Sequence, residues 1–242
     1  NIKTPVCYDL SHWRPIPDFS VLDPFPFLVL TKATESTSYV DDTFVMHMAG
    51  MKQHGIYRGS YHFHRKAADP TVQAKHFCNT IRAHVNDKDI LVLDVEEGGE
   101  TAEQLITFLQ YVEGQFPNNL LMIYSRKNII DPIPMTTAQK EYLRTIAIWT
   151  AGYPYNSDLY SVPPAGYIPD QSKWGAVLLW QYADSGVVAG TDYLLDCNWV
   201  SGVLAAMLGI TPPPADVITY PFDGIRQISG VRHGWKFELF IS

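Results

Sequence analysis

The chain is predicted to fold as an α/β protein, an irregular TIM-like β/α barrel with a short β-rich C-terminal extension. Three observations lead there. Apolar runs of strand length alternate with helix-length amphipathic segments, and that alternation implies a parallel sheet joined by right-handed crossovers. About 210 residues are organised in this way, a span over which a barrel is the natural closure. The acids and aromatics gather just after the strands, at the face where such barrels carry their chemistry. Composition agrees, since 46% hydrophobic and 18% charged residues describe a globular chain rather than a disordered one.

Residues 6–11 read as a first strand that contains Asp9 near its end. Residues 27–31 form a second apolar strand, with Lys32-Ala33-Thr34-Glu35 at its exit. Asp41-Asp42 can open a helix whose apolar side carries Phe44, Met48 and Met51, and Gly55 is placed to end it. Residues 57–63 are a third strand that runs into His64. Asp69-Pro70 combines an N-cap with proline at the first helical position, and Ala74, Phe77, Cys78 and Ile81 mark the buried face that follows. Thr101 and Gln104 fit a capping box for a helix with Leu105, Phe108, Leu109 and Val112 inward. Further strands are expected at 120–124, 146–149 and 177–182, with a helix over 137–144, a short segment at 192–197 and a last helix over 199–208.

The fourth strand, 89–98, organises the rest. It begins as a near-continuous apolar run, suited to burial on both faces, and ends in carboxylates. Alternate residues of a strand share a face, so Asp94 and Glu96 point the same way with Cα atoms about 6.5–7 Å apart. Two acids leaving a buried strand are costly unless one holds a proton while the other stays charged. That is equipment for acid catalysis on an acetal. The plainer alternative is a strand end that meets water.

Other classes are disfavoured. A formal charge of −7 without a Lys/Arg run argues against nucleic acid as a partner. No apolar stretch reaches the roughly 18–20 residues needed for membrane insertion. No signal peptide is visible, although the chain does not begin with Met and a removed leader is compatible with that. Cys7, Cys78 and Cys197 are too few and too scattered for a disulfide framework and read as buried free thiols. His62 and His64 share a strand face and, with Asp94 or Asp9, could imitate a metal site. The motifs of a zinc hydrolase are missing, so neither metal nor cofactor is expected. Ser11-His12 lacks the glycine pattern of a nucleophile elbow. The 14 Tyr, 11 Phe and 6 Trp suit both an aromatic core and a groove in which rings pack on sugar faces.

The end of the chain changes character. A proline run at 212–214 separates an expected catalytic barrel, 1–210, from a tail, 211–242, with a possible Asp223-Gly224 turn and an alternating strand pattern at 235–241. About 30 residues are too few to fold alone. The tail is expected to contact the barrel, a second chain or a missing module.

The strand-end motifs, taken in order, resemble those of the glycoside hydrolase family 25 lysozymes, the Chalaropsis-type N-acetylmuramidases common among phage endolysins. Asp9-Leu10-Ser11-His12-Trp13 is similar to the family's opening D-x-S-x-[WY]. Lys32-Ala33-Thr34-Glu35 with Tyr39 and Asp41, then Gly59-Ser60-Tyr61-His62-Phe63, then Asp94-Val95-Glu96 follow its pattern. Ile123-Tyr124-Ser125, Trp180-Gln181-Tyr182 and Asp196-Cys197-Asn198 complete it. The resemblance implies hydrolysis of bacterial peptidoglycan between N-acetylmuramic acid and N-acetylglucosamine. It implies Glu96 as general acid/base, Asp94 assisting the substrate's N-acetyl group, and Asp9 and Asp196 lining the cleft and tuning the acid. The groove residues expected with them are Glu35, Tyr61, His62, Tyr124, Trp149, Trp180 and Tyr182. Glu35 has an equal alternative as a partner of Lys32, and His62 one as a hydrogen-bonded wall residue. Tyr61, Tyr124 and Trp149 could equally be core. Action outside the cell, or in the wall on phage lysis, goes with this reading. The competing one is a glycan-binding or virion component that grips the wall without cutting it.

Overall fold

A computed structural model describes residues 6–153 and 163–209. The expected tail, 211–242, lies outside the described residues. Within them the strands are β1 (Val6–Leu10), β2 (Leu28–Glu35), β3 (Tyr39–Val40), β4 (Tyr57–Phe63), β5 (Ile90–Asp94), β6 (Leu120–Arg126), β7 (Ala147–Ala151), β8 (Val177–Val187) and β9 (Leu194–Val200). They form one sheet in the order β1-β9-β8-β7-β6-β5-β4-β2-β3, and β1 also pairs with β2, which closes a barrel and leaves β3 as a short flap on β2. From β1 through β2, β4, β5, β6 and β7 to β8 every pairing is parallel. β9 runs antiparallel to both β8 and β1. That reversal is the barrel's irregularity, and it places Asp196 directly opposite Asp9.

Helices cover the outside where their signals stood. α1 (Phe44–Gln53) follows β3, and α2 (Pro70–Ile81) is capped by Asp69, whose carboxylate accepts from the N–H groups of Thr71 and Val72. α3 (Ala102–Gln115) starts with the full Thr101–Gln104 capping box. A second box, Thr136–Gln139, starts α5 (Thr137–Leu143), after the single turn of α4 (Lys127–Ile130). The chain of described residues ends on α6 (Gly202–Met207). The last helix therefore begins later than its apolar pattern implied, because 199–200 finish β9 and Ser201 is the cap. β2 also runs through Glu35, with a register shift between Lys32 and Thr34. The expected exit loop is strand with a bulge.

Two apolar layers result. Leu28, Leu30, Ile90, Val92, Met122, Trp149 and Leu179 fill the barrel interior. Tyr8, Leu10, Val29, Leu91, Leu93, Ile123 and Ile148, one residue out of phase, face the helices. The interior is tight: a Cβ on Gly59 would stand 2.3 Å from Leu30 Cδ2 and 3.0 Å from the Ile90 carbonyl oxygen. No helix among the described residues is long and apolar enough to cross a membrane.

Candidate active site

Strand parity decides which side chains reach the barrel mouth. The inward phase of β5 carries Ile90, Val92 and then Asp94, and the inward phase of β1 carries Cys7 and then Asp9. Asp94 and Asp9 are therefore the last inward residues of their strands, and both are buried. Glu96 follows Asp94 beyond the strand and is hydrogen-bonded to it. Asp196 is hydrogen-bonded to Asp9. The four expected catalytic acids thus meet as two carboxyl pairs at the mouth where the parallel strands end, Asp196 coming from the start of antiparallel β9.

Each pair holds a proton. Burial, then the neighbouring Glu96, lifts Asp94 well above the usual carboxylate range. Glu96 is raised too, by burial first, with Arg126 the largest influence pulling it back. At the second pair, burial and the charge of Asp9 push Asp196 up to about 9. Asp9 is also raised by burial, but its Oδ2 accepts from Asn198 Nδ2 at 2.7 Å and Gln181 Nε2 at 2.9 Å, donors that favour an anion. Arg14 Nη1 stands 2.7 Å from Asp196 Oδ2, the geometry of an ion pair, and this sits uneasily with a protonated Asp196. The two oxygens differ: Oδ2 accepts from Arg14, while Oδ1 is buried with no hydrogen-bond donor as a partner among the described residues and is free to carry a proton. Asp94 Oδ1 is a second such oxygen.

A relay of amides and phenols fixes Asp9. Gln181 Oε1 accepts from Tyr124 Oη at 2.6 Å and from Tyr153 Oη, and Asn198 Oδ1 accepts from Trp149 Nε1 at 2.6 Å. With both oxygens occupied, each amide turns its N–H to Asp9. Tyr61 packs edge-on to Trp149, and burial and the surrounding acids keep its phenol protonated. Gln181, Asn198 and Tyr153 were missed as site residues from sequence. Gln181 and Asn198 stood inside quoted motifs, and inward parity would have singled them out.

Several expected groove residues lie elsewhere. His62 is one residue out of phase with Tyr61 and faces the helices. It is buried, bonded to Thr34 Oγ1 at 2.7 Å and Gln73 Oε1 at 3.1 Å, stacked on Phe108, and lowered by burial to about 3. Trp180 and Tyr182 flank inward Gln181, so they too point outward into the helix layer, where Trp180 Nε1 bonds the Gly152 carbonyl. These three are wall residues, not sugar contacts. Trp149, 2% exposed, is a sealed floor beneath the acids. Glu35 is held by Lys32 at 2.6 Å and by Arg65 at 2.6 Å, which makes it an ion-pair partner on the rim. Glu97 turns away from Glu96 to Arg65 and the Lys66 N–H. His62 does not converge with Asp94 or Asp9, and no cluster of three or more His, Cys, Asp and Glu among the described residues can hold a metal ion. The three cysteines are buried and free.

The mouth has two open flanks. Trp13, just after β1, is 73% exposed and lies beside His12, whose ring in turn meets Tyr39 of β3 edge-on. Across the barrel, Arg126 at the end of β6 stands over the Tyr153 ring beyond β7. In strand order β1/β2 and β6/β7 are opposite sides of the closed ring.

Comparison with known proteins places this geometry in context. Residues 8–191 match the family model described as glycosyl hydrolases family 25. Lysozyme M1 of Streptomyces globisporus is 27% identical over 222 residues, covering 84% of this chain and 69% of that protein. The autolytic lysozyme of Clostridium acetobutylicum is 27% identical over 190 residues, 77% of this chain and 52% of that one. In three dimensions, the catalytic domain of endolysin ply40, from a Listeria monocytogenes phage, superposes with a TM-score of 0.66 at 20% identity, covering 87% of this chain and all of that one.

Proposed function

The chain belongs to glycosyl hydrolase family 25, and from that membership we propose that it hydrolyses the β-1,4 bond from N-acetylmuramic acid to N-acetylglucosamine, with Glu96 as general acid/base. At the family level it is a lysozyme-type glycoside hydrolase acting on peptidoglycan. The observation that carries the finer reading is the Asp94/Glu96 pair. The two are hydrogen-bonded, raised by burial, and without a cation in salt-bridge distance among the described residues.

Breaking a glycosidic bond needs a proton for the leaving oxygen and a counter-charge for an oxocarbenium-like centre. In the free protein the shared proton is drawn to Asp94, the more deeply buried partner. A substrate acetamide N–H donated to Asp94 stabilises its anion and sends the proton to Glu96. Glu96 then delivers it to the leaving oxygen as the bond breaks. The acetamide oxygen supports the positive charge at the anomeric carbon. Water adds there and its proton returns to Glu96. Asp9, fixed by Gln181 and Asn198, lies close enough to raise Glu96 further. Trp13 and Tyr39 offer ring faces for sugars on one flank. The place of action is the bacterial wall, reached by export or on lysis of the cell.

Purified peptidoglycan is digested, reduced with borohydride and analysed by mass spectrometry. Reduced muramic acid at the new chain ends is the expected result. Reduced glucosamine there would refute the bond assignment.

A further inference from the structure

A cleft of about 630 Å³ opens past the ends of β6 and β7 and is lined by Arg126, Lys127, Asp131, Gly152, Tyr153 and Tyr167, among others. Its floor is shaped for closeness: a Cβ on Gly152 would fall 1.9 Å from the Tyr167 ring, which Thr150 Oγ1 ties down through the Tyr167 carbonyl. Lys127 is already spent on Asp131 and the Ile168 carbonyl. Arg126 is not. Arg14, Arg58 and Arg65 each close on a carboxylate, whereas among the described residues none lies in salt-bridge distance of Arg126. Its guanidinium is held by the Tyr153 phenol and ring, and Tyr153 bonds Gln181, which bonds Asp9. A planar cation held over a phenol ring, with no carboxylate in salt-bridge distance among the described residues, has the geometry to take a carboxylate.

We propose that Arg126 binds a carboxylate carried by the substrate on the lactyl side of muramic acid, so that the protein prefers glycan bearing a free acid there. The inference rests on the muramidase reading, since it assigns that substrate's side arm to the cleft flanking Glu96. Two sources share this chemistry: the lactyl carboxyl itself on peptide-free strands, and the acidic residues of the attached peptide. An arginine that also depresses Glu96 couples recognition to the acid. An anion on Arg126 weakens its pull and favours the protonated Glu96 needed for bond cleavage.

The test uses soluble peptidoglycan strands in three forms: peptides with free carboxylates, the same peptides amidated with carbodiimide and ammonium chloride, and strands stripped of peptide by an amidase. Wild-type kcat/KM is expected to fall about tenfold from free-acid to amidated strands, and Arg126→Gln to cleave both alike. Arg126→Lys, which keeps the charge without the fork, should retain part of the preference. Ratios are compared at each pH, so a shift in Glu96 cancels. A fall on amidation assigns the contact to the acidic residues of the peptide; stripped strands cleaved about tenfold faster than both peptide-bearing forms assign it to the lactyl carboxyl, which the peptide bond masks in the other two. Equal wild-type rates on all three forms, or a preference that survives in Arg126→Gln, overturn the proposal. Equal cleavage of all three forms leaves the muramidase reading standing, while cleavage of none removes that reading itself.

Discussion

Asp89 and Asp94 bracket the same strand and are buried to nearly the same degree, yet they are treated in opposite ways. At the lower end, Asp89 accepts from Arg58 Nη2 at 2.8 Å and Nε at 3.2 Å and from the Asn86 N–H. Burial still lifts it, but Arg58 pulls it back. At the upper end, Asp94 has Glu96 against it and no cation in salt-bridge distance among the described residues, so burial and repulsion outweigh the pull of Lys32. A fold that can place arginine against a buried acid does so where only stability is at stake. It leaves acids crowded together where a proton must be held and released.

The sharpest way to break this contrast is Glu96→Gln. Loss of the proton donor should lower turnover by about a thousandfold or more, with the melting temperature unchanged or raised because a buried charge is gone. Reducing-sugar release and thermal melts on the same samples read both. Retained turnover would mean that the paired acids are not the chemical centre.

Arg58→Met should do the reverse. It strands Asp89 in the interior and costs about 3–5 kcal/mol of stability, seen as a lower denaturation midpoint. Turnover per folded molecule should not change, because Arg58 lies at the far end of β5. A variant that stays stable would show that Asp89 is not charged in the fold.

Asp196→Asn tests whether the mouth gives up stability for function. In the fold Asp196 keeps its proton up to about 9, against an ordinary 3.8. Between those values the folded state binds a proton that the unfolded state has released, so this group's contribution to stability falls as pH rises through that window. Asparagine cannot ionise. The variant should therefore gain on wild type as pH rises from about 4 to 9, by about 1–3 kcal/mol near neutrality, while below 4 the two converge. Urea melts at several pH values give the slope. A difference independent of pH would show that Asp196 does not carry the second pair's proton.

Much of the barrel was legible because its signals are local. The Asp69 cap, the Thr101–Gln104 box and the apolar run of β5 each depend on a few adjacent residues, and each formed as expected. β9 was harder to read. Its antiparallel direction is set by closure against β1, a contact between residues nearly 190 apart such as Asn198 and Asp9. The site divided along the same line. Period-two alternation brought Asp94 and Asp9 to one mouth, and motif order supplied Asp196. Treating Trp180-Gln181-Tyr182 as an aromatic signal overlooked that a strand sends neighbours to opposite faces, so that Gln181 is the member facing inward. His62 takes its alternative as a hydrogen-bonded wall residue for the same reason, sitting beside inward Tyr61. Glu35 and Arg65 are 30 residues apart, and no sequence spacing announces their pairing.

The smallest expected effect tests the link between the two sides of the mouth. Tyr153→Phe removes one of the two hydroxyls that donate to Gln181 Oε1 and the phenol that steadies Arg126, while Tyr124 still holds the amide. One hydrogen bond among several is worth about 1 kcal/mol, so kcat/KM on peptidoglycan should fall roughly three- to fivefold with little change in melting temperature. Its position in the chain from Arg126 to Asp9 makes the direction informative. If Tyr153 only fills space, phenylalanine is a neutral replacement and the rate on every strand form stays the same. If it orients Gln181 toward Asp9, the loss appears on amidated and free-acid strands alike, which separates it from Arg126→Gln, whose effect falls on the difference between them.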